Sequence, residues 1–156
     1  MGRAFLLKIP PANPNLPLPT VEFVAGFFDG EGSVSINKPS YTLHARVANT
    51  YRLGLEVIAQ SFRGMCSLDE DVTQTPRRRV KYFLEFSGPN ARKFLEIILP
   101  YLLFKRAVAG IGIGYQKWKE KHPLKGSPEE RRKIIETRQL AYKLLRTIHE
   151  QGRLKA

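Results

Sequence analysis

The sequence predicts an α+β domain in which an antiparallel sheet carries helices on one face and leaves the other bare. Three observations predict it. Apolar residues switch from helical to alternating spacing and back, twice, which orders the elements helix, strand, strand, helix, strand, strand, helix, with extra helices at the end. The alternating segments keep apolar residues on one side and place hydroxyl, amide and basic side chains on the other. The chain also carries 26 Lys and Arg against 14 Asp and Glu, a formal charge of +12, the footprint of a surface that meets a polyanion.

At 156 residues a single domain spanning 1–156 is expected, with enough chain for a real core. No apolar run approaches the roughly 18 residues needed to cross a bilayer, and "AFLL" is too short and too soon followed by proline to be a signal peptide. A soluble, unprocessed protein with no membrane partner is the expectation. One cysteine, Cys66, rules out an internal disulfide, and three scattered histidines make no zinc-type cluster. A reducing, intracellular setting follows, in cytoplasm, nucleoid or an organelle.

Residues 1–19 form a proline-rich arm, with five prolines between Pro10 and Pro19, which forbids helix and favours extended chain. An arm lying along its own domain or on a DNA backbone accounts for it better than a docking peptide for a proline-recognising partner. Thr20 is a good N-cap for a helix running through Phe28, with Val24, Phe27 and Phe28 on one face. The opposite face is small, made of Ala25, Gly26 and Gly30. Glycine inside a helix costs up to about 1 kcal/mol relative to alanine, so close approach of another backbone is a reason for it. Gly32 stops the helix.

"SVSIN", "TLHARV" and "RVKYFLEF" then alternate as strands, with a shorter one around "MCSLDE". Val34, Ile36, Leu43, Ala45, Val47, Val80, Tyr82, Leu84 and Phe86 should face inward. The outer face should present Ser35, Asn37, Thr42, His44, Arg46, Arg79 and Lys81. "RLGLEVIAQSF" is helical through Leu55, Ile58, Ala59 and Phe62. Gly88 and Pro89 open "NARKFLEIIL", and Pro100 closes it. A further helix spans about Phe104 to Lys119, diluted by "AGIGIG". Ser127 and Glu130 make a capping box for a last helix over 127–152, with a stripe of Ile134, Thr137, Ala141, Leu144, Leu145 and Ile148 toward the core. From Lys117 to the end there are twelve basic and five acidic residues, more than half of the excess charge.

"DGEG" at the end of the first helix sets two acids where the helix dipole is already negative. A plain turn is the competing account. The conjunction of small residues, acids and basic strands points further. If two copies pack through Ala25, Gly26 and Gly30, the two Glu31 carboxylates meet near a two-fold axis, and their repulsion calls for a cation. Mg²⁺ suits such an oxygen-rich site, because it takes one or two carboxylates plus substrate phosphate; Mn²⁺ would substitute.

The stretch Val24-Ala25-Gly26-Phe27-Phe28-Asp29-Gly30-Glu31-Gly32 resembles the motif of the LAGLIDADG homing endonuclease family. Val24 stands for leucine, Phe27 and Phe28 for bulky aliphatics, Gly30 for alanine and Glu31 for the second aspartate. The resemblance runs from about Pro19 to Gln116 and leaves the last forty residues uncovered. It implies the αββαββα fold, a sheet saddle on double-stranded DNA and, with one motif per chain, a homodimer. It further implies that Glu31 binds metal, that the Gly30 carbonyl adds an oxygen, and that Asp29 ties paired helix ends together. Lys105 matches the family's basic pocket residue and Asn49 its water-orienting polar residue. The implied DNA contacts are Ser35, Asn37, Thr42, His44, Arg46, Ser67, Asp69, Arg77, Arg79 and Lys81. The expected function is site-specific, metal-dependent hydrolysis of both DNA strands at a long, partly symmetric target. The alternative is a relative that binds without cutting, either a DNA-binding regulator or an intron RNA maturase with intron RNA as partner.

Overall fold

The computed structural model describes residues 6–7, 13–71 and 79–154. The elements run β1 (Leu6–Leu7), α1 (Val21–Glu31), β2 (Gly32–Asn37), β3 (Thr42–Asn49), α2 (Arg52–Gln60), β4 (Cys66–Glu70), β5 (Tyr82–Ser87), α3 (Pro89–Ile98), a 3₁₀ turn (Leu99–Tyr101), α4 (Arg106–Lys121) and α5 (Pro128–Leu154). The sheet order is β1-β4-β5-β3-β2, and every pair is antiparallel. This is the α+β architecture expected, with one addition: two residues of the N-terminal arm form β1 on the outer side of β4. Elsewhere the described part of the arm is not simply extended. Asn13 turns the chain, its side chain accepting the Asn15 N–H at 3.0 Å and its carbonyl the Leu16 N–H at 3.0 Å.

Alternation places Val34, Ile36, Leu43, Ala45, Val47, Leu68, Leu84 and Phe86 in the core. Against them pack Val24, Ala25 and Phe28 of α1 and Ala91, Phe94, Leu95 and Ile98 of α3. Phe94 is the hub. It stacks on Phe86 at 3.9 Å and meets Phe28 and Phe62 edge-on at 5.5 and 5.1 Å. Removing such a ring from a core costs about 3–5 kcal/mol.

Two glycines are demanded by packing. A Cβ on Gly32 would collide with the Phe28 ring and carbonyl, so the chain can pass from α1 into β2 without a gap only with glycine there. A Cβ on Gly112 would fall 2.9 Å from Val34 and 3.0 Å from Leu43, which explains part of "AGIGIG": α4 lies directly on the sheet.

Three expectations are corrected. The last strand begins at Tyr82, not Arg79, so Val80 is 40% exposed and Arg79 and Lys81 precede the strand. Ala25 is fully buried in its own chain rather than on the open face with Gly26 and Gly30, because it shares the inner side with Val24 and Phe28. In α5, Ala141 and Leu145 face inward as expected, but Thr137 and Leu144 are exposed, and Arg138 and Tyr142 join the inward track in their place. The capping box of α5 is formed: Ser127 N donates to Glu130 at 2.7 Å and Glu130 N to Ser127 Oγ at 3.2 Å. Alongside β2, His149 Nε2 of α5 lies 2.6 Å from the Val34 carbonyl. Among the described residues no helix is long and apolar enough to cross a membrane.

Candidate active site and nucleic-acid interface

The end of α1 carries the two acids in opposite roles. Asp29 is buried and accepts three backbone N–H groups, from Leu103 at 2.6 Å, Phe104 at 3.2 Å and Lys105 at 2.9 Å. These are the residues leading into α4, so one carboxylate caps the next helix where its dipole is positive. Burial pushes the Asp29 carboxyl up, but the three N–H donors and the Lys105 ammonium outweigh it, leaving it below the usual range. The Lys105 ammonium also donates to the Asp29 carbonyl. Burial pushes that ammonium down, opposed by the charges of Asp29 and Glu31. Within one chain, then, the side-chain bonds of Asp29 run to residues 103–105 at the entry to α4.

Glu31 and Gly30 are exposed beside it. A Cβ added to Gly26 or Gly30 would meet nothing within 4 Å, so the glycine face of α1 is open. Leu103 and Phe104, whose N–H groups hold Asp29, are 80% and 85% exposed. Bulky apolar side chains left this exposed favour cover by another surface.

Among the described residues no group of three or more His, Cys, Asp or Glu could hold a metal ion. One chain offers one exposed carboxylate and helix-end carbonyls, all hard oxygen donors, which fits part of the shell of an ion that keeps waters and takes phosphate. Asn49 is half-buried; its side-chain oxygen accepts the Tyr51 N–H at 2.8 Å in a turn entering α2, leaving the amide NH₂ to bind elsewhere.

On the outer face of the sheet, Ser35, Thr42, His44 and Ser67 are half-buried and Asn37 and Arg46 exposed, as are Arg79 and Lys81 before β5. Arg77 lies outside the described residues. Ser67 donates to Asp69 at 3.0 Å, and the second Asp69 oxygen has no hydrogen-bond partner among the described residues. A residue absent from the expected face is Glu85. It is paired opposite Arg46 and Ser67, bonded by His44 Nδ1 at 2.9 Å and by Arg46 Nε at 2.6 Å. The His44 hydrogen bond, opposed by burial and helped by Arg46, holds its carboxyl below the usual range. The signal was available: Glu85 alternates with inward Leu84 and Phe86.

The β2–β3 turn is held from behind. Tyr115 Oη donates to the Tyr41 carbonyl at 2.6 Å, and Lys119 Nζ reaches the Ser40 and Tyr41 carbonyls at 3.0 and 2.9 Å. Lys38 lies over the Tyr142 ring at 4.6 Å. These contacts fix the β2–β3 turn from the side of α4 and α5.

No family model matches the chain, and no curated protein matches it in sequence. Solved structures do. The homing endonuclease I-CvuI in complex with its target in the presence of calcium matches with a TM-score of 0.52 at 21% identity, over 66% of this chain and 70% of that one. I-CvuI in complex with the I-CreI target in the presence of magnesium, with the DNA not cleaved, matches with a TM-score of 0.58 at 16% identity, over 80% and 78%. The fold is therefore that of the homing endonucleases, as the nine-residue motif implied.

Proposed function

We propose that the protein is a site-specific homing endonuclease, a homodimer that hydrolyses both strands of double-stranded DNA at a long, partly symmetric target with a divalent metal ion. The observation that carries this reading is the exposed Glu31 at the end of an open glycine helix face, within the field of a half-buried Lys105, on this fold. Two copies meeting through Gly26 and Gly30 would bring both Glu31 carboxylates to one axis, and Leu103 and Phe104 would be covered.

Glu31 and the Gly30 carbonyl would hold the ion, Mg²⁺ or Mn²⁺. Bound there, it would polarise the scissile phosphate and lower the pKa of an attacking water. Asp29 acts at one remove, since its grip on 103–105 fixes where Lys105 stands. The Lys105 ammonium would offset charge gathering on the phosphate and the departing oxygen. The Asn49 amide is a group able to orient water. Residues on the outer sheet face would read bases in the major groove, while Lys and Arg around them neutralise phosphate.

The test is incubation of a linear duplex carrying the candidate insertion sequence with protein and Mg²⁺, followed by the same reaction in EDTA. Two fragments with Mg²⁺ and none with EDTA are expected. Tight, sequence-selective binding with no cutting in Mg²⁺ or Mn²⁺ would favour the non-cleaving alternative.

A further inference from the structure

We infer that Glu85 is a positioning residue that presets Arg46 to recognise one guanine, so that this pair dictates a specific base in the target. The inference rests on the outer sheet face being the DNA-binding face. Arg46 is held on two sides. Its Nε donates to Glu85 Oε2 at 2.6 Å and its Nη2 is paired with the same oxygen, while the guanidinium lies 4.8 Å from the Phe83 ring centroid. His44 Nδ1 occupies the other carboxylate oxygen at 2.9 Å, so the Glu85 group is itself fixed. The Arg46 side chain is still 45% exposed.

The consequence is geometric. With Nε and one hydrogen of Nη2 engaged, the guanidinium keeps Nη1 and the second Nη2 hydrogen as a fork without partners among the described residues. That end of the group matches the O6 and N7 acceptors of guanine. A free arginine must give up rotamer freedom to make such a bidentate contact and could equally reach a phosphate; a clamped one does neither. A carboxylate without such partners would repel phosphate or accept from a cytosine amino group, whereas one already bound by two donors acts as a brace.

Selection from a randomised double-stranded DNA library, by wild type, Arg46→Ala, Glu85→Ala and the shape-preserving Glu85→Gln, decides the matter. Wild type should select sites with a fixed guanine at one position, repeated by symmetry where the site is palindromic. Arg46→Ala should lose that preference, roughly tenfold or more. Glu85→Ala should lose much of it, and Glu85→Gln part, with melting temperatures confirming folding. Unchanged base preferences in the Glu85 variants, with affinity merely raised for every sequence, would overturn the brace and leave the enzyme reading standing. Wild type selecting no sequence at all would overturn both.

Discussion

The inner and outer sides of α1 from Val24 to Glu31 are built on opposite terms. On the inner side Val24, Ala25, Phe28 and Asp29 are buried, and even the charged group has its partners supplied by its own chain. On the outer side Gly26, Gly30 and Glu31 are open, with nothing near the glycines and a carboxylate facing outward. Two acids separated by a single glycine thus divide the work. One organises the chain, and the other is left available for chemistry.

That division is most sharply broken by comparing Glu31→Gln with Asp29→Asn. Glu31→Gln should cut more slowly by about a thousandfold, equivalent to about 4 kcal/mol in the barrier, in a cleavage time course. Its DNA binding in a gel-shift assay and its melting temperature should stay near wild type, since the side chain supports no packing.

Asp29→Asn should act through folding instead. An amide cannot replace a charged acceptor of three N–H groups, and a loss of about 2 kcal/mol is expected in urea unfolding at pH 7. The pH dependence gives the sign. The folded carboxyl lies below its ordinary 3.8, so its contribution is complete above that pH and disappears as pH falls through the lower folded value. Wild type and Asp29→Asn should therefore converge in stability below about pH 4, and a constant gap down to pH 2 would show that the charge is not what the site uses.

Gly26 sharpens the contrast from the outer side. With open space around its Cβ position, Gly26→Ala should stabilise the single chain by up to about 1 kcal/mol. Gly26→Leu should leave the chain folded but shift it from dimer to monomer in sedimentation. A dimer that tolerates leucine there meets through some other surface.

Much of this was legible in the amino-acid order. Alternation identified the buried residues of β2 and β3, and Thr20, Gly32, Pro89 and the Ser127–Glu130 box marked helix ends, because each depends on neighbours within a few residues. What depended on distant chain was not legible. Asp29 meets the start of α4 more than seventy residues later, so no local pattern announces which helix it caps. Helical angle alone puts Ala25 on the open face, but packing against the sheet decides its surroundings. In α5 the inward track admits Arg138, whose Nη2 reaches the His122 carbonyl at 3.4 Å, a contact that apolar periodicity cannot register. Glu85 is different, since its outward position follows from alternation; only its partners across the sheet needed three dimensions.

The placement of α5 beside β2 limits how copies of this chain can join. An outermost strand ordinarily offers a row of unmet peptide groups on which another sheet can grow. Here the Val34 carbonyl on that margin is taken by His149, and β1 lies along the opposite margin of the four long strands. Recruitment of a neighbour by strand addition is thus discouraged at both ends, so that if two copies join as proposed, a closed pair through helices is favoured over open-ended fibres.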